Sequence, residues 1–189
     1  MSPRAGLTPD AVVTLALEVV DADGADALSL AKVAERAGVA TPSLYKHIGG
    51  LAALRRLVDL RVVAEMTEAL RAAATGRSGD DAIEALADAY RAYLRTHPHR
   101  VAALETAPDE GDEELAKATH GVAEVAFAVL RPYGFDYART VHATRCLRAA
   151  VHGFASLETS GGFGRPEDVD ASFTLLKTML VRGITDYAS

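Results

Sequence analysis

A run of hydroxyl, cationic and imidazole side chains between positions 41 and 47 has the chemistry needed to contact nucleic acid. If Pro42–Ile48 is helical, Leu44 and Ile48 fall on one face and the polar side chains fall on the other. Such groups can hydrogen-bond to phosphates or to base edges in the major groove. The candidate contacts are Thr41, Pro42, Ser43, Tyr45, Lys46 and His47.

Two short predicted helices position this run. The first begins after Ser29, whose hydroxyl suits an N-cap, and stops at Gly38, which suits a left-handed C-cap. The second covers Pro42–Ile48, and the pair Gly49-Gly50 ends it. Two helices joined by a tight turn have the proportions of a helix-turn-helix. Amphipathic three-helix units also occur in proteins that bind no DNA, so the pattern alone leaves that alternative open.

The charge distribution agrees with DNA binding better than the total charge does. The chain has a net charge of −6, but between Ser29 and Arg61 six basic side chains stand against two acidic ones. This local charge of +4 leaves −10 for the rest of the chain. Lys32 and Arg55, both in this segment, complete the predicted set of DNA contacts. A basic stretch of this size is also compatible with an ordinary solvated surface.

The rest of the chain predicts helices as well, because alanine and leucine are abundant and no run alternates apolar and polar residues. The first helix opens at Thr8-Pro9-Asp10 with a hydroxyl cap, a proline at the first position and an acid in the first turn. Further helices are predicted over 51–74, 81–96, 113–130, 136–159 and from 166 to about 187. We therefore expect an all-α fold with a three-helix domain over residues 1–60 and a helical bundle over 61–189.

The segment 30–48 resembles the DNA-binding motif of the tetracycline-repressor (TetR) family. It reads Leu30-Ala-Lys-Val-Ala-Glu-Arg-Ala-Gly-Val-Ala-Thr-Pro-Ser-Leu-Tyr-Lys-His-Ile and includes the family's Leu-Tyr-x-His centre. The resemblance implies that Pro42–Ile48 is the recognition helix. It implies that Tyr45 and His47 contact phosphates and that the bases are contacted by Thr41, Pro42, Ser43 and Lys46. It also implies a transcriptional repressor that binds palindromic double-stranded operator DNA as a homodimer and is released by a small-molecule effector.

Two positions depart from the family pattern. Leu51 stands at the start of the fourth helix, where many members carry a phosphate-binding lysine, and Ala31 stands where an arginine is common. Both changes remove a cation, so they should weaken the sequence-independent part of DNA binding. Arg55 and Arg56, one turn further along, are the candidates to compensate.

The C-terminal half is similar to the TetR C-terminal domain type that is named for a Trp-His-Gly signature. The pair His152-Gly153 and the loop Gly161-Gly162-Phe163 match that type, whereas its tryptophan has no counterpart because the chain contains none. The predicted dimer interface consists of apolar residues at helical spacing on the last two helices. These are Leu147, Val151, Phe154, Phe173, Leu176, Leu180 and Ile184. The alternative is that these stripes complete the core of the subunit itself.

A pocket for the effector is implied by the family rather than by a motif. Its candidate lining combines apolar and polar residues, as small-molecule sites do: Tyr90, Tyr93, Leu94, His97, Phe127, Leu130 and His142. Ordinary core packing explains each of them equally well. His152 is expected to be a buried histidine that holds an interhelical hydrogen bond.

That the chain is an enzyme or a metalloprotein is the less favoured hypothesis. His142 and Cys146 lie one helical turn apart, but the sequence has no zinc-protease, nucleophile-elbow or phosphate-loop motif. We therefore expect no enzyme activity, no metal and no cofactor. The alternative hypothesis is a helical metal-dependent or ligand-binding protein that keeps the helix-turn-helix only as structure. One cysteine, no apolar leader and no membrane-spanning run predict a cytoplasmic location without membrane contact.

Overall fold

The structure is a computed structural model that describes residues 7–105 and 108–189. Within these ranges the chain forms helices and connecting turns without any strand, so the prediction of an all-α fold is confirmed. The α-helices are α1 (Pro9–Asp23), α2 (Leu30–Ala37), α3 (Leu51–Ala74), α4 (Gly79–Thr96), α5 (Ala102–Glu105), α6 (Glu113–Leu130), α7 (Tyr137–Thr159) and α8 (Val169–Ala188). Short 3-10 helices cover Ala25–Ala27, Thr41–Lys46, Pro98–Arg100 and Arg131–Tyr133.

The polar residues that precede the helices explain where four of them begin. The side chains of Thr8, Ser29, Asp136 and Asp168 each accept a hydrogen bond from a backbone N–H at the start of the helix that follows, at 2.8–3.3 Å. These bonds satisfy N–H groups that have no partner inside a helix. The helix bounds predicted from the sequence agree with the structure to within about three residues at these ends.

The predicted recognition helix differs from the observed one in length and type. The expected α-helix Pro42–Ile48 is a 3-10 helix, Thr41–Lys46, in which Ser43 N donates to Ala40 O at 2.8 Å. A segment this short, with a proline near its start and two glycines after it, gains more from the closer spacing of 3-10 hydrogen bonds. Ile48 lies just beyond the helix but stays buried, so its predicted role in the core holds.

The chain divides into two compact units, and the division falls inside α3. Unit one contains the described residues up to Val62 together with the described part of His99–Leu115, and unit two contains Val63–Pro98 and Ala116–Ser189. The sequence-based boundary at residues 60 and 61 therefore lies within two residues of the division. The return of 99–115 to unit one was not expected from the sequence.

Each unit has its own apolar core. In unit one, α1, α2, the 3-10 helix Thr41–Lys46 and the first half of α3 bury one face each; the side chains include Val12, Leu17, Val33, Leu44 and Leu54. In unit two α4, α7 and α8 pack on one another, and the second half of α3 and α6 also contribute to the core; the buried side chains include Met66, Ile83, Leu94, Leu130, Leu147 and Phe173. The core of unit one holds the recognition segment in a fixed orientation.

Candidate DNA-binding site

The 3-10 helix Thr41–Lys46 presents a polar outer face. Leu44 is fully buried, which turns Pro42, Tyr45 and Lys46 outward, and the Tyr45 side chain is 61% exposed. Thr41, Ser43 and His47 are half-buried at the edges of this face. The structure therefore brings all six predicted residues of the segment onto one short surface. We call this surface, Thr41–His47, the recognition face.

The turn that leads into the recognition face depends on one glycine. Gly38 has φ 65° and ψ 33°, the left-handed conformation that residues with a Cβ rarely adopt. Its N–H donates to Glu35 O at 3.1 Å, and the next N–H, from Val39, donates to Ala34 O at 3.0 Å. These bonds close the end of α2 as a helix C-cap does. The direction of the chain into Thr41 is fixed by this cap.

Most of the predicted basic surface is paired with acidic side chains of unit one. Lys32 Nζ lies 2.8 Å from Asp23 Oδ2, so this predicted DNA contact is already held in an ion pair, which lowers the pKa of Asp23. Arg36 pairs with Glu18 at 3.7 Å, and Arg61 pairs with Asp10. These acidic partners could not be counted from the sequence, because they lie outside the segment 29–61 that carries the local positive charge.

Arg56 is the most heavily paired of these cations. Its Nε donates to Asp112 Oδ2 at 2.5 Å and its Nη2 donates to Asp112 Oδ1 at 2.7 Å and to Glu114 Oε2 at 2.8 Å. These hydrogen bonds raise the pKa of Arg56 and lower the pKa of Asp112. Arg56 is thus not a free substitute for the missing lysine. Among the described residues, Lys46 and Arg55 are the basic side chains of 29–61 without an ion pair within 4.0 Å.

A second arginine attaches the segment 99–115 to the first helix. Arg100 is 7% exposed, and its Nε and Nη2 donate to the two carboxylate oxygens of Asp21 at 2.7 and 2.6 Å. This two-point geometry is the strong form of a guanidinium–carboxylate pair. Sequence reasoning missed it because Asp21 and Arg100 lie far apart in the chain and neither belongs to a recognisable motif.

Asp59 on α3 is an acidic residue in a partly buried position that disfavours the ionised carboxylate. Burial raises the pKa of Asp59, and the nearby Arg55 lowers it by a smaller amount. A carboxyl whose folded pKa is raised gives its full stabilisation below the unfolded value and loses it as the pH rises through the folded value.

We expect Asp59→Asn to be slightly more stable than the wild type at neutral pH, by less than about 1 kcal/mol because the site is partly solvated. The advantage should shrink as the pH falls toward the ordinary titration range of an aspartate, because the raised pKa makes the folded wild-type carboxyl take up its proton before the unfolded one does. Urea unfolding at a series of pH values measures both quantities. A variant that loses stability at neutral pH would show that the carboxylate of Asp59 makes a net favourable interaction.

The residues predicted to line an effector pocket all lie in unit two but do not form one set. Tyr90, Leu94 and Leu130 are buried, Tyr93, His97 and Phe127 are half-buried, and His142 is exposed on α7. The histidine of α7 that faces α4 is instead His152, whose Nδ1 lies 2.8 Å from Tyr90 Oη. The predicted interhelical hydrogen bond of His152 is confirmed, although the ring is half-buried rather than buried.

Further polar groups lie on α3 and α4. Tyr93 Oη donates to Glu65 Oε2 at 3.2 Å, and the rings of Tyr93 and His97 lie 5.0 Å apart.

His142 and Cys146 are both exposed, and the residues in the described ranges contain no group of three or more side chains suited to hold a metal. Within the same ranges, none of the helices combines the length and apolar character needed to cross a bilayer.

Four of the seven residues predicted for the dimer interface are buried inside unit two. Leu147, Val151, Phe173 and Ile184 are at most 6% exposed, so they belong to the core of the subunit. The remaining three, Phe154, Leu176 and Leu180, are half-buried. The apolar side chains that do reach the surface of these helices include Leu157, Leu175 and Met179. The predicted stripe selected the inner face of α8 because that face carries the more regular apolar spacing.

Comparison with known proteins agrees with both halves of this description. The family model described as "Bacterial regulatory proteins, tetR family" matches residues 12–55. The model described as "Tetracyclin repressor-like, C-terminal domain" matches residues 83–180. Together they cover the recognition face and most of unit two.

The similar proteins include transcriptional regulators. An uncharacterized HTH-type transcriptional regulator of Mycobacterium tuberculosis is 37% identical over 95% of this chain and 83% of its own length. Among solved structures, a protein from Rhodococcus matches with a TM-score of 0.82 at 22% identity, over 97% of this chain and 98% of its own. A TetR variant from Acinetobacter baumannii, in complex with minocycline, matches with a TM-score of 0.72 at 25% identity, over 97% of this chain and 99% of its own.

The two family models and the Mycobacterium relative agree on one class of protein, which regulates transcription and is not an enzyme, and the relative matches over 95% of the chain. The N-terminal match includes the turn at Gly38 and the recognition face, and the C-terminal match includes the His152-Gly153 pair. The chain belongs to the TetR family of DNA-binding transcriptional regulators.

Proposed function

We propose that the chain is a repressor that binds a palindromic operator as a homodimer and is released from it by a small molecule bound in unit two. The observation that carries the proposal is the recognition face, because Tyr45 and Lys46 project from a buried anchor, Leu44, in a DNA-binding domain of known family. A regulator of this kind works in the cytoplasm, where the DNA is.

The side chains of the recognition face fall into two groups, one that contacts phosphates and one that contacts bases. Tyr45 and His47 hold phosphates, whereas Thr41, Pro42, Ser43 and Lys46 meet base edges, as the family resemblance implies. Arg55 adds a further phosphate contact from α3. Lys32 belongs to this set only if its ammonium group leaves Asp23, which costs little because the pair is exposed on both sides.

Repression and release by a small molecule are supported by similar proteins. One relative, 30% identical over 81% of this chain and 54% of its own length, is named an HTH-type transcriptional repressor and comes from Streptomyces coeruleorubidus. The Acinetobacter TetR variant was solved with minocycline. In this chain the groups of unit two best suited to orient an effector are Tyr90, Tyr93 and His152, which sit on neighbouring helices among apolar side chains.

The homodimer requires an exposed surface, and the outer face of α8 supplies one. Leu175 and Met179 are 60% and 62% exposed and lie one turn apart. On α7 the small residues Ala138 and Ala149 are exposed and Ser156 is half-buried, and their size would let a second copy approach closely. We propose these two faces as the interface, with the half-buried Phe154, Leu176 and Leu180 at its edges.

Substitutions in the recognition face test the DNA-binding roles. Tyr45→Phe should weaken binding to all sequences alike, because it removes a hydroxyl that contacts a phosphate. Lys46→Ala should cost about 1–3 kcal/mol and should also relax the preference for one base pair. The measurement is binding to a panel of operator variants, derived from a duplex that the wild-type protein selects from a random-sequence library.

The matched control is Arg71→Ala, which removes an exposed cation on α3 in unit two. It should leave both affinity and base preference unchanged. An unaltered base preference in Lys46→Ala would contradict base reading by Lys46. Failure of the wild-type protein to enrich any duplex would contradict the proposed function as a whole.

A further inference from the structure

The second turn of α3 carries two adjacent arginines with opposite surroundings. Arg55 is exposed and, in the described part of the chain, has no carboxylate within 4.0 Å. Arg56 contacts two carboxylates through three hydrogen bonds of 2.5–2.8 Å. Both residues lie one helical turn from the start of α3, which begins at Leu51, four residues after the recognition face ends at His47.

The two carboxylates that contact Arg56 make the net charge of the cluster negative. A free arginine would present +1 to a phosphate, whereas Arg56 together with Asp112 and Glu114 carries −1. The partners come from the acidic stretch Asp109–Glu114, which the chain returns to unit one after α4 and α5. A cluster with net negative charge repels the phosphates that the lone guanidinium would attract.

Stability does not account for the contact with Glu114. The side chain of Glu114 is 70% exposed, and exposed ion pairs contribute little to the free energy of unfolding, whereas Asp112 is 15% exposed and its two-point pair with Arg56 also contributes to stability. Asp112 has a separate structural role, because its Oδ1 accepts a hydrogen bond from the backbone N–H of Leu115 at 3.0 Å. Its charge is not needed for that bond, which an amide oxygen can accept equally well.

We propose that Asp112 and Glu114 compete with DNA phosphates for Arg56 and thereby hold the affinity of the protein for DNA below the level that its own basic residues would give. The proposal rests on DNA binding by unit one. Its partner is the phosphate backbone of duplex DNA, which requires no particular base sequence.

The test uses the full chain with Asp112→Asn and Glu114→Gln combined. Asparagine keeps an acceptor for Leu115, so the start of α6 is preserved while the charge is removed. We expect binding to a mixed-sequence duplex of about 30 base pairs to strengthen about threefold to tenfold at low salt. The log–log dependence of affinity on salt should steepen by about 0.9, the value for one more neutralised phosphate.

The control variant removes the same charge from the same stretch by Glu110→Gln combined with Glu113→Gln. Both side chains are exposed, and neither forms an ion pair with Arg56 in the described structure. The control should gain clearly less affinity than the test variant. In an Arg56→Gln background, Asp112→Asn with Glu114→Gln should gain no more than the control pair does.

Three results would overturn the proposal: equal gains in test and control variants, an equal gain in the Arg56→Gln background, or weaker binding by the test variant. Glu114→Gln alone is the second variant, because it leaves Asp112 in place on both Arg56 and Leu115; it should still bind more tightly than Glu113→Gln. Wild-type protein that binds no duplex at any salt concentration would instead contradict DNA binding itself, so the two failures are distinguishable.

Discussion

Met179→Arg is expected to convert the protein into a monomer and to abolish specific binding to its operator. Met179 is 62% exposed on the outer face of α8, one helical turn from the exposed Leu175. In a two-fold dimer the substitution would bring two guanidinium groups close together in a desolvated interface, at a cost of several kcal/mol. A single recognition face covers only a few base pairs, so the operator affinity should fall to the non-specific level, at least about a thousandfold lower.

Sedimentation measures the assembly state, and a DNA-binding assay on the same sample measures the operator affinity. Thr185→Arg is the matched control, because Thr185 is exposed on the same helix but points about 120° away from Met179. It should remain a dimer with wild-type affinity. If Met179→Arg also remains a dimer with unchanged affinity, the outer face of α8 is not the interface.

Arg91→Met is expected to reduce the free energy of unfolding by about 3–5 kcal/mol. Arg91 is 8% exposed in unit two, and its Nε and Nη2 donate to the two oxygens of Glu158 at 2.7 and 2.6 Å. Its Nη2 also lies 2.7 Å from Asp170, and its guanidinium carbon lies 4.5 Å from the centre of the Phe173 ring. Methionine fills a similar volume but leaves the carboxylate of Glu158, whose side chain is 16% exposed, with only the longer contact to Arg95 at 3.7 Å among the described residues.

Denaturant unfolding at neutral pH measures this loss, and two further variants assign its cause. Arg95→Met removes an exposed guanidinium that lies 3.7 Å from the same two carboxylates, so it should cost less than about 1 kcal/mol. Arg91→Met combined with Glu158→Gln should recover most of the loss, because no buried charge is then left unpaired. If the double variant is as unstable as Arg91→Met, the packing of Arg91 on Phe173 matters more than its charge.

The helices and the recognition face could be predicted because their determinants are local. Ser29 and Gly38 specify the ends of α2 through their own hydrogen bonds and backbone angles, and Leu44 orients Tyr45 through helical spacing alone. The 3-10 form of Thr41–Lys46 was not predicted, because the same residues satisfy both helix types at this length. The family resemblance then supplied what the local pattern left open, namely DNA binding.

The ion pairs and the outer face of α8 could not be predicted because they depend on tertiary contacts. Nothing in the sequence places Asp112 beside Arg56, so the segment 29–61 looked more basic than it is. On α8 both the inner residue Phe173 and the outer residue Met179 are apolar, and periodicity cannot tell which face is covered by the subunit itself. Burial in the folded chain makes that distinction.

The return of residues 99–105 and 108–115 to unit one bears on how such regulators can be recombined. Arg100 supplies the partner of Asp21 on α1, and Asp112 supplies the partner of Arg56 on α3, so the DNA-binding unit is completed by residues encoded beyond α4. A chimaera spliced within α3 would inherit its helix-turn-helix from one parent and these two partners from the other. The natural module for exchange is therefore discontinuous in the gene, and a functional transplant of DNA specificity has to carry both pieces.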